Sequence, residues 1–210
     1  EGKLFYFLTN NKAPNFRLIA IDFENYDEKN WTTIIAETKN VLDWAACVNG
    51  DKLICHYLED VKSVLSVHSL HTGEFQYRFK LSPGSIQGFF GDKNCSEIFY
   101  HFVSFLDAGK IFHYDFKTPN LEPKVFKEIK IENFDSNLYM VEQQFFSSTD
   151  EVKVPMFIIR KKEKDMKPKP LLLYGYGGFN ISILPSFSIT LLAFVDIFDG
   201  CLAFANIRGE

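Results

Sequence analysis

The chain has 210 residues, of which 46% are apolar and 24% charged, and this balance excludes an intrinsically disordered protein because the apolar side chains suffice for a core. The net charge of −4 is spread along the chain, and the absence of a basic stripe excludes a nucleic-acid footprint. Aromatic residues reach 16%, including 23 Phe, and such side chains favour half-buried strands.

Three successive rounds of short apolar runs predict antiparallel strands over the first 130 residues or so. The rounds start near residues 1, 41 and 85, a spacing of about 40–45 residues that is typical of the four-stranded blades of a β-propeller. A β-sandwich is the alternative for regularly spaced short strands. Blades are favoured because each round ends in a turn, such as Thr72-Gly73, that leads into an outer strand. The predicted strands are residues 4–8, 17–23 and 31–35; 44–48, 53–58, 64–70 and 75–81; and 86–90, 97–102, 110–116 and 124–129.

The pattern changes after about residue 132 and predicts the beginning of an α/β domain. Two strands, at 139–147 and 152–160, precede a polar loop and an apolar run at 171–174 that is typical of a central strand buried on both faces. A helix is predicted at 188–198 and a further central strand at 201–207. The predicted buried side of the helix and its glycine stop are Leu191, Leu192, Val195, Phe198 and Gly200.

The segment from 171 to 195 has no charged residue, but its glycines and Pro185 argue against a membrane span. Its first half contains a glycine loop, residues 175–180, directly after the predicted strand. A tyrosine hydroxyl in such a loop, here Tyr176, can donate a hydrogen bond to a developing oxyanion. The loop after a buried strand of an α/β-hydrolase supplies donors of this kind. A plain glycine turn is the alternative interpretation.

Two segments closely resemble the prolyl oligopeptidase family: residues 173–182, Leu-Tyr-Gly-Tyr-Gly-Gly-Phe-Asn-Ile-Ser, and residues 202–209, Leu-Ala-Phe-Ala-Asn-Ile-Arg-Gly. Shorter stretches at 97–100, 121–123 and 152–158 resemble it too, so the resemblance covers essentially the whole chain. It implies a cytosolic serine endopeptidase, monomeric at full length and without a cofactor, that cuts short peptides after proline. In that family a seven-bladed propeller caps an α/β-hydrolase domain and restricts entry to small peptides.

Carried over to this sequence, the resemblance makes Tyr176 the oxyanion tyrosine and Phe179 a side chain that lines the pocket for the substrate proline. It assigns residues 1–130 to the last three propeller blades and residues 131–210 to the start of the hydrolase domain. Since about 4–8 blades are needed to close a propeller, three blades predict that blades are missing on the N-terminal side.

A serine nucleophile with its catalytic partners cannot be found in the sequence. The one glycine pair with the G-x-S-x-G spacing, Gly84 and Gly88, has Ile86 at its centre, and no histidine follows His113. We therefore expect the catalytic Ser, Asp and His to lie beyond this chain, and the 210-residue chain alone to be inactive. The alternative is a non-catalytic, truncated propeller product that acts as a binding or scaffold module. Glu210 departs from the glycine that the family carries after Gly209.

The remaining polar and aromatic candidates receive structural interpretations. His68 and His71 flank a turn without a nearby ligand set, so no metal site is predicted. His101 and His113 are expected to be blade residues with satisfied hydrogen bonds, and Trp44, like Trp31, to be a core residue. The four cysteines show no framework spacing and are expected to be free, mostly buried thiols: Cys47, Cys55, Cys95 and Cys201.

Overall fold

The computed structural model describes residues 3–118, 122–163 and 167–208, and these hold fifteen β-strands and one α-helix. Almost all strand pairs are antiparallel. The chain divides into two compact units: the first is Glu1–Ser82, Gly88–Tyr100 and Phe112–Phe126, and the second is Pro83–Gln87, His101–Ile111 and Lys127–Glu210. Leu121, in the stretch 121–123 that resembles the family, lies outside the described residues, as do Gly209 and Glu210.

Each predicted round of strands forms its own sheet. The first sheet has three strands in the order β1-β2-β3, and the second has four in the order β4-β5-β6-β7. The third has the order β11-β10-β9-β8. The strands are β1 Leu4–Thr9, β2 Arg17–Asp22, β3 Thr32–Ile35, β4 Val41–Val48, β5 Lys52–Glu59, β6 Lys62–Ser69, β7 Phe75–Arg78, β8 Ser85–Gly91, β9 Glu97–Ser104, β10 Asp107–Asp115 and β11 Lys124–Glu128.

A three-residue turn, Asn49 to Asp51, closes the β4–β5 hairpin, because Val48 pairs with Lys52. Asn49 has φ 46° and Gly50 has φ 76°, left-handed conformations that asparagine and glycine adopt more readily than other residues. The Asn-Gly pair in the sequence therefore lets the chain reverse its direction at this point.

The core of the first unit joins its first two sheets. Side chains from β2 and β3 pack with those from β4 and β5, and Leu70 follows β6. On β5 the core members are every second residue, Leu53, Cys55 and Tyr57, so one face of that strand lies in this core. Its buried members are Leu18, Ile35, Leu42, Leu53, Cys55, Tyr57 and Leu70.

The fourth sheet, in the second unit, has the order β12-β13-β15-β14. Strands β14 and β15 run parallel, and helix α1 connects them, because a parallel pair needs a crossover rather than a tight turn. The predicted order of strand, loop, helix and strand is therefore present. The elements are β12 Tyr139–Ser147, β13 Lys153–Lys161, β14 Leu171–Gly175, α1 Ile189–Ile197 and β15 Cys201–Ala205.

Three details of this segment differ from the prediction. All five residues of β14 are exposed, and β14 lies at the edge of the sheet, whereas β15 takes a central place. An apolar run alone does not distinguish the two positions. Phe198 is 62% exposed rather than buried, because it lies beyond the last turn of α1. The left-handed residue after the helix is Asp199, with φ 49°, and not Gly200.

The second unit is held together by aromatic packing against its sheet. The ring of Phe105 lies 5.1 Å from those of both Phe157 and Phe204, and it stacks on Phe204. Leu192 and Val195 of α1 are buried. Among the described residues, no helix is both long and apolar enough to cross a membrane.

Candidate functional site

The predicted glycine loop lies in the β14–α1 loop, residues 176–188, which joins the edge strand to the helix. A Cβ atom at Gly177 would lie 2.5 Å from the carbonyl oxygen of Arg208 and 2.9 Å from that of Ile207, so only glycine fits there. Gly175 has more room, since its nearest neighbour would be 3.6 Å away. Gly177 thus allows a close approach between the loop backbone and the backbone of residues 207 and 208.

The residue with left-handed backbone in this loop is Phe179, at φ 56° and ψ 29°, and not one of its glycines. A bulky residue is strained in this conformation, and such conformations persist only when the surrounding structure imposes them. The side chain is 89% exposed. The backbone conformation therefore presents an aromatic ring to the outside of the second unit.

Tyr176 precedes this turn, and its side chain is 38% exposed. Its ring folds back over the loop, because a Cβ at Gly178 would lie only 3.2 Å from the hydroxyl oxygen. Within the described part of the chain, the hydroxyl makes no hydrogen bond. The O–H group is therefore available as a donor to a bound molecule.

Two buried polar side chains hold the second half of the loop. The Asn206 side chain bonds to both backbone groups of Ile183, at 2.6 and 3.3 Å. The Ser85 hydroxyl donates to the carbonyl oxygen of Pro185 at 2.6 Å. Both anchors lie in the second unit and are inaccessible to solvent or nearly so.

A Ser-His-Asp chain that the sequence analysis missed lies elsewhere, in the second sheet. Asp43 Oδ2 is 3.0 Å from Nδ1 of His56, and Nε2 of His56 is 2.8 Å from the hydroxyl of Ser63. Because a carboxylate accepts, Nδ1 carries a proton, and in the neutral imidazole Nε2 then accepts from Ser63, the tautomer that a hydrolytic triad uses. His56 is 2% and Ser63 3% exposed, so a peptide cannot reach the hydroxyl. We assign the network to the stability of the sheet.

One half of this network could have been found from the sequence. His56 pairs with Leu65, so Ser63 is its diagonal neighbour on the same face of the hairpin. Asp43 could not have been found, because it lies at a register shift between Leu42 and Trp44 that turns its side chain toward His56. Trp44 is only partly buried, and its ring stacks on His56 at 5.0 Å.

The prediction that the blade histidines have satisfied hydrogen bonds is confirmed for His113 and wrong for His101. His113 bonds to Glu97 at 3.0 Å, as expected of a satisfied blade residue. His101 does not fit, because its buried Nε2 has no hydrogen-bond partner and lies against Gly109, whose missing Cβ leaves it room. His68 uses both ring nitrogens, on Ser66 and on the Gly73 carbonyl. Among the residues that the structure describes, no group of three or more metal-ligating side chains occurs.

Two of the four cysteines, Cys55 and Cys201, are poor candidates for an alternative nucleophile. All four thiols are free, but only Cys55 is buried, so the expectation of mostly buried thiols was wrong. Burial raises the pKa of Cys55 to about 12, and burial also raises that of Cys201. Both are protonated at neutral pH, whereas the thiolate is the reactive form.

Comparison with known proteins adds the family. The family model described as "Prolyl oligopeptidase, N-terminal beta-propeller domain" matches residues 1–127. The chain belongs to the prolyl oligopeptidase family. The matched residues contain the first three sheets, which are therefore blade sheets of the propeller.

Relatives in the prolyl oligopeptidase family match the chain from end to end. Prolyl oligopeptidase ophP of Omphalotus olearius is 34% identical over 212 residues, covering 100% of this chain and 28% of its own length. The prolyl endopeptidase of Elizabethkingia meningoseptica is also 34% identical over 212 residues, covering 100% of this chain and 29% of its own length. The chain thus spans less than a third of these relatives.

Solved structures of prolyl oligopeptidases superpose on the whole chain. A prolyl endopeptidase from a study of inter-domain dynamics in catalysis and specificity gives a TM-score of 0.88 at 30% identity, covering 99% of this chain and 30% of its own. Prolyl oligopeptidase B of Galerina marginata, bound to a 35mer hydrolysis and macrocyclization substrate, gives 0.89 at 28% identity, covering 100% of this chain and 30% of its own.

Proposed function

We propose that this chain is part of a cytosolic serine-type endopeptidase that cleaves short peptides on the carboxyl side of proline. The observation that carries the proposal is the accessible pair of Tyr176 and Phe179 on one short loop, in a chain of the prolyl oligopeptidase family. A peptide substrate for this chain is in line with the structure of the Galerina marginata relative, which holds a 35mer hydrolysis and macrocyclization substrate.

In this proposal Tyr176 acts during acyl transfer. When a serine attacks the peptide carbonyl, negative charge develops on its oxygen, and the Tyr176 O–H donates to that oxyanion beside a backbone N–H next to the nucleophile. A donor of this kind contributes about 10²–10³ in kcat. The hydroxyl is unengaged within the described residues, which leaves it free for that role.

Phe179 serves recognition in the same proposal. Its exposed ring offers a flat apolar surface against which the ring of a substrate proline packs. We propose residues 1–130 as propeller blades, which limit entry to short peptides, and residues 131–210 as the start of the α/β-hydrolase domain. The parallel β14–β15 pair with its crossover helix α1 supports the second assignment.

The test uses the complete gene product and a set of short peptides with one proline each. We expect cleavage after proline, identified by mass spectrometry of the products, and labelling of one serine by a fluorophosphonate. The 210-residue chain alone should show neither, because its sequence holds no G-x-S-x-G segment. Cleavage at other residues would overturn the specificity, and a complete product without turnover or labelling would favour the non-catalytic scaffold instead.

A further inference from the structure

We infer that Asn206 is a positioning residue for the Tyr176–Phe179 turn, an inference that rests on the proposed function of that turn. Asn206 directly follows β15, and it is 9% exposed. Its Oδ1 accepts the backbone N–H of Ile183 at 2.6 Å, and its Nδ2 donates to the carbonyl oxygen of Ile183 at 3.3 Å. One buried amide thus satisfies both backbone groups of a single loop residue.

The same segment contacts the loop on both sides of Phe179. Before Phe179, the backbone of Gly177 packs against the carbonyl groups of residues 207 and 208. After it, Ile183 is held by Asn206. The turn that carries the left-handed Phe179 is therefore fixed at its two ends by three consecutive residues, 206–208.

Asn206 is itself fixed to the sheet. Its backbone N–H donates to the carbonyl oxygen of Pro155 in β13 at 3.0 Å, which ties the residue to the strand beside β15. A second anchor lies two residues beyond Ile183, where the fully buried Ser85 hydroxyl holds Pro185. The loop is thus anchored to strands of the sheet, as the precise placement of reacting groups requires.

Removal of the Asn206 amide should affect the loop more than the sheet. It leaves the N–H and C=O of the half-buried Ile183 without their partners, and backbone groups that lose their hydrogen bonds in such a place are costly. The strain at Phe179 is tolerated only while the surroundings impose it, so the turn is expected to relax once one end is released.

Hydrogen exchange on the 210-residue chain tests this without any activity. In Asn206→Leu we expect amides of residues 176–185 to exchange about tenfold faster or more, which corresponds to about 1.4 kcal/mol, while β12, β13 and β15 keep their protection. Val195→Ala is the matched control, because it removes buried methyl groups from α1 without touching a loop hydrogen bond.

Asn206→Asp adds a signature that a general loss of stability would not produce. A protonated carboxyl can both accept from and donate to Ile183 as the amide does, whereas a carboxylate cannot donate. Loop protection in Asn206→Asp, relative to the wild type at the same pH, should therefore be low at about pH 7 and rise as the pH falls to about 4 and below.

The inference is overturned if Asn206→Leu exchanges in the loop at the wild-type rate, or if Val195→Ala accelerates the loop equally. Should Asn206→Leu fail to fold, Asn206→Asp at about pH 7 gives the same test, where accelerated exchange of residues 176–185 supports the inference and exchange at the wild-type rate contradicts it. The proposed function has a separate test. If the Tyr176→Phe variant of the complete gene product cleaves peptides at the wild-type rate, the proposed function is refuted even if Asn206 holds the loop.

Discussion

At the scale of single residues, Gly73 shows most clearly how backbone geometry dictates identity. It has φ +71°, and a Cβ atom there would lie 1.8 Å from the carbonyl oxygen of Ile34. The positive φ strains any residue that has a side chain. The contact with Ile34 excludes a side chain altogether unless the backbone of the neighbouring strand moves. Its carbonyl oxygen also accepts a hydrogen bond from His68.

Gly73→Ala should destabilise the chain by about 3 kcal/mol or more, because it combines a left-handed alanine with a backbone clash. Gly50→Ala is the matched control, since Gly50 has φ +76° but open space around the missing Cβ, and it should cost only about 1–2 kcal/mol. Urea denaturation of both variants measures the difference. Equal losses would contradict the clash.

The buried His68 should make stability depend on pH. Burial lowers its pKa from 6.5, although the bond to Gly73 opposes the shift. The folded chain therefore binds the proton more weakly than the unfolded chain, and stability present above about pH 6.5 is lost as the pH falls through the folded pKa. In denaturation curves between pH 7.5 and 5.5, the wild type should lose more stability than His68→Gln. If the wild type gains stability relative to the variant as the pH falls, the prediction is contradicted.

At the scale of elements, the Asp43–His56–Ser63 network links β4, β5 and β6 across one sheet face. It has the order of a catalytic triad, but burial of the hydroxyl makes it a cross-strand tie. A network of this kind strengthens a sheet only while each member keeps its partner.

Ser63→Ala should therefore cost about 1–3 kcal/mol, because it leaves a buried nitrogen of His56 unpaired. Thermal melting of the 210-residue chain measures the loss, with the surface change Thr118→Ala as a control at an exposed hydroxyl. Reaction of Ser63 with a fluorophosphonate in the folded chain would contradict its structural role.

The elements differ in how far the sequence could predict them. Strands β1 to β13 follow from short apolar runs between turn residues, and the left-handed Asn49 and Gly50 lie in one of those turns. The place of a strand within a sheet does not follow, because pairing is decided by distant residues; β14 has the composition of a central strand and lies at an edge. The left-handed Phe179 was also unpredictable, since glycine is the residue that most readily adopts that conformation and Gly178 stands directly before it.

At the scale of the whole chain, the exposed edge strand β14 predicts self-association of the 210-residue protein. Leu171 and Leu173 are 59% and 61% exposed, and an uncovered apolar edge is a template for pairing. Leu173→Lys should lower the associated fraction several-fold in sedimentation velocity. Phe198→Lys, which replaces an exposed apolar side chain outside the sheet, should not. A strictly monomeric wild type would refute the prediction.

The proposed peptidase extends beyond this chain, which spans less than a third of its relatives. What the chain contributes to the chemistry in our account is the hydroxyl of Tyr176. The most direct test is the turnover of a proline-containing peptide by the complete gene product and by its Tyr176→Phe variant. We predict that kcat falls about 10²–10³-fold while KM changes little, because the hydroxyl acts on charge that develops in the transition state. An unchanged kcat in Tyr176→Phe would contradict the account.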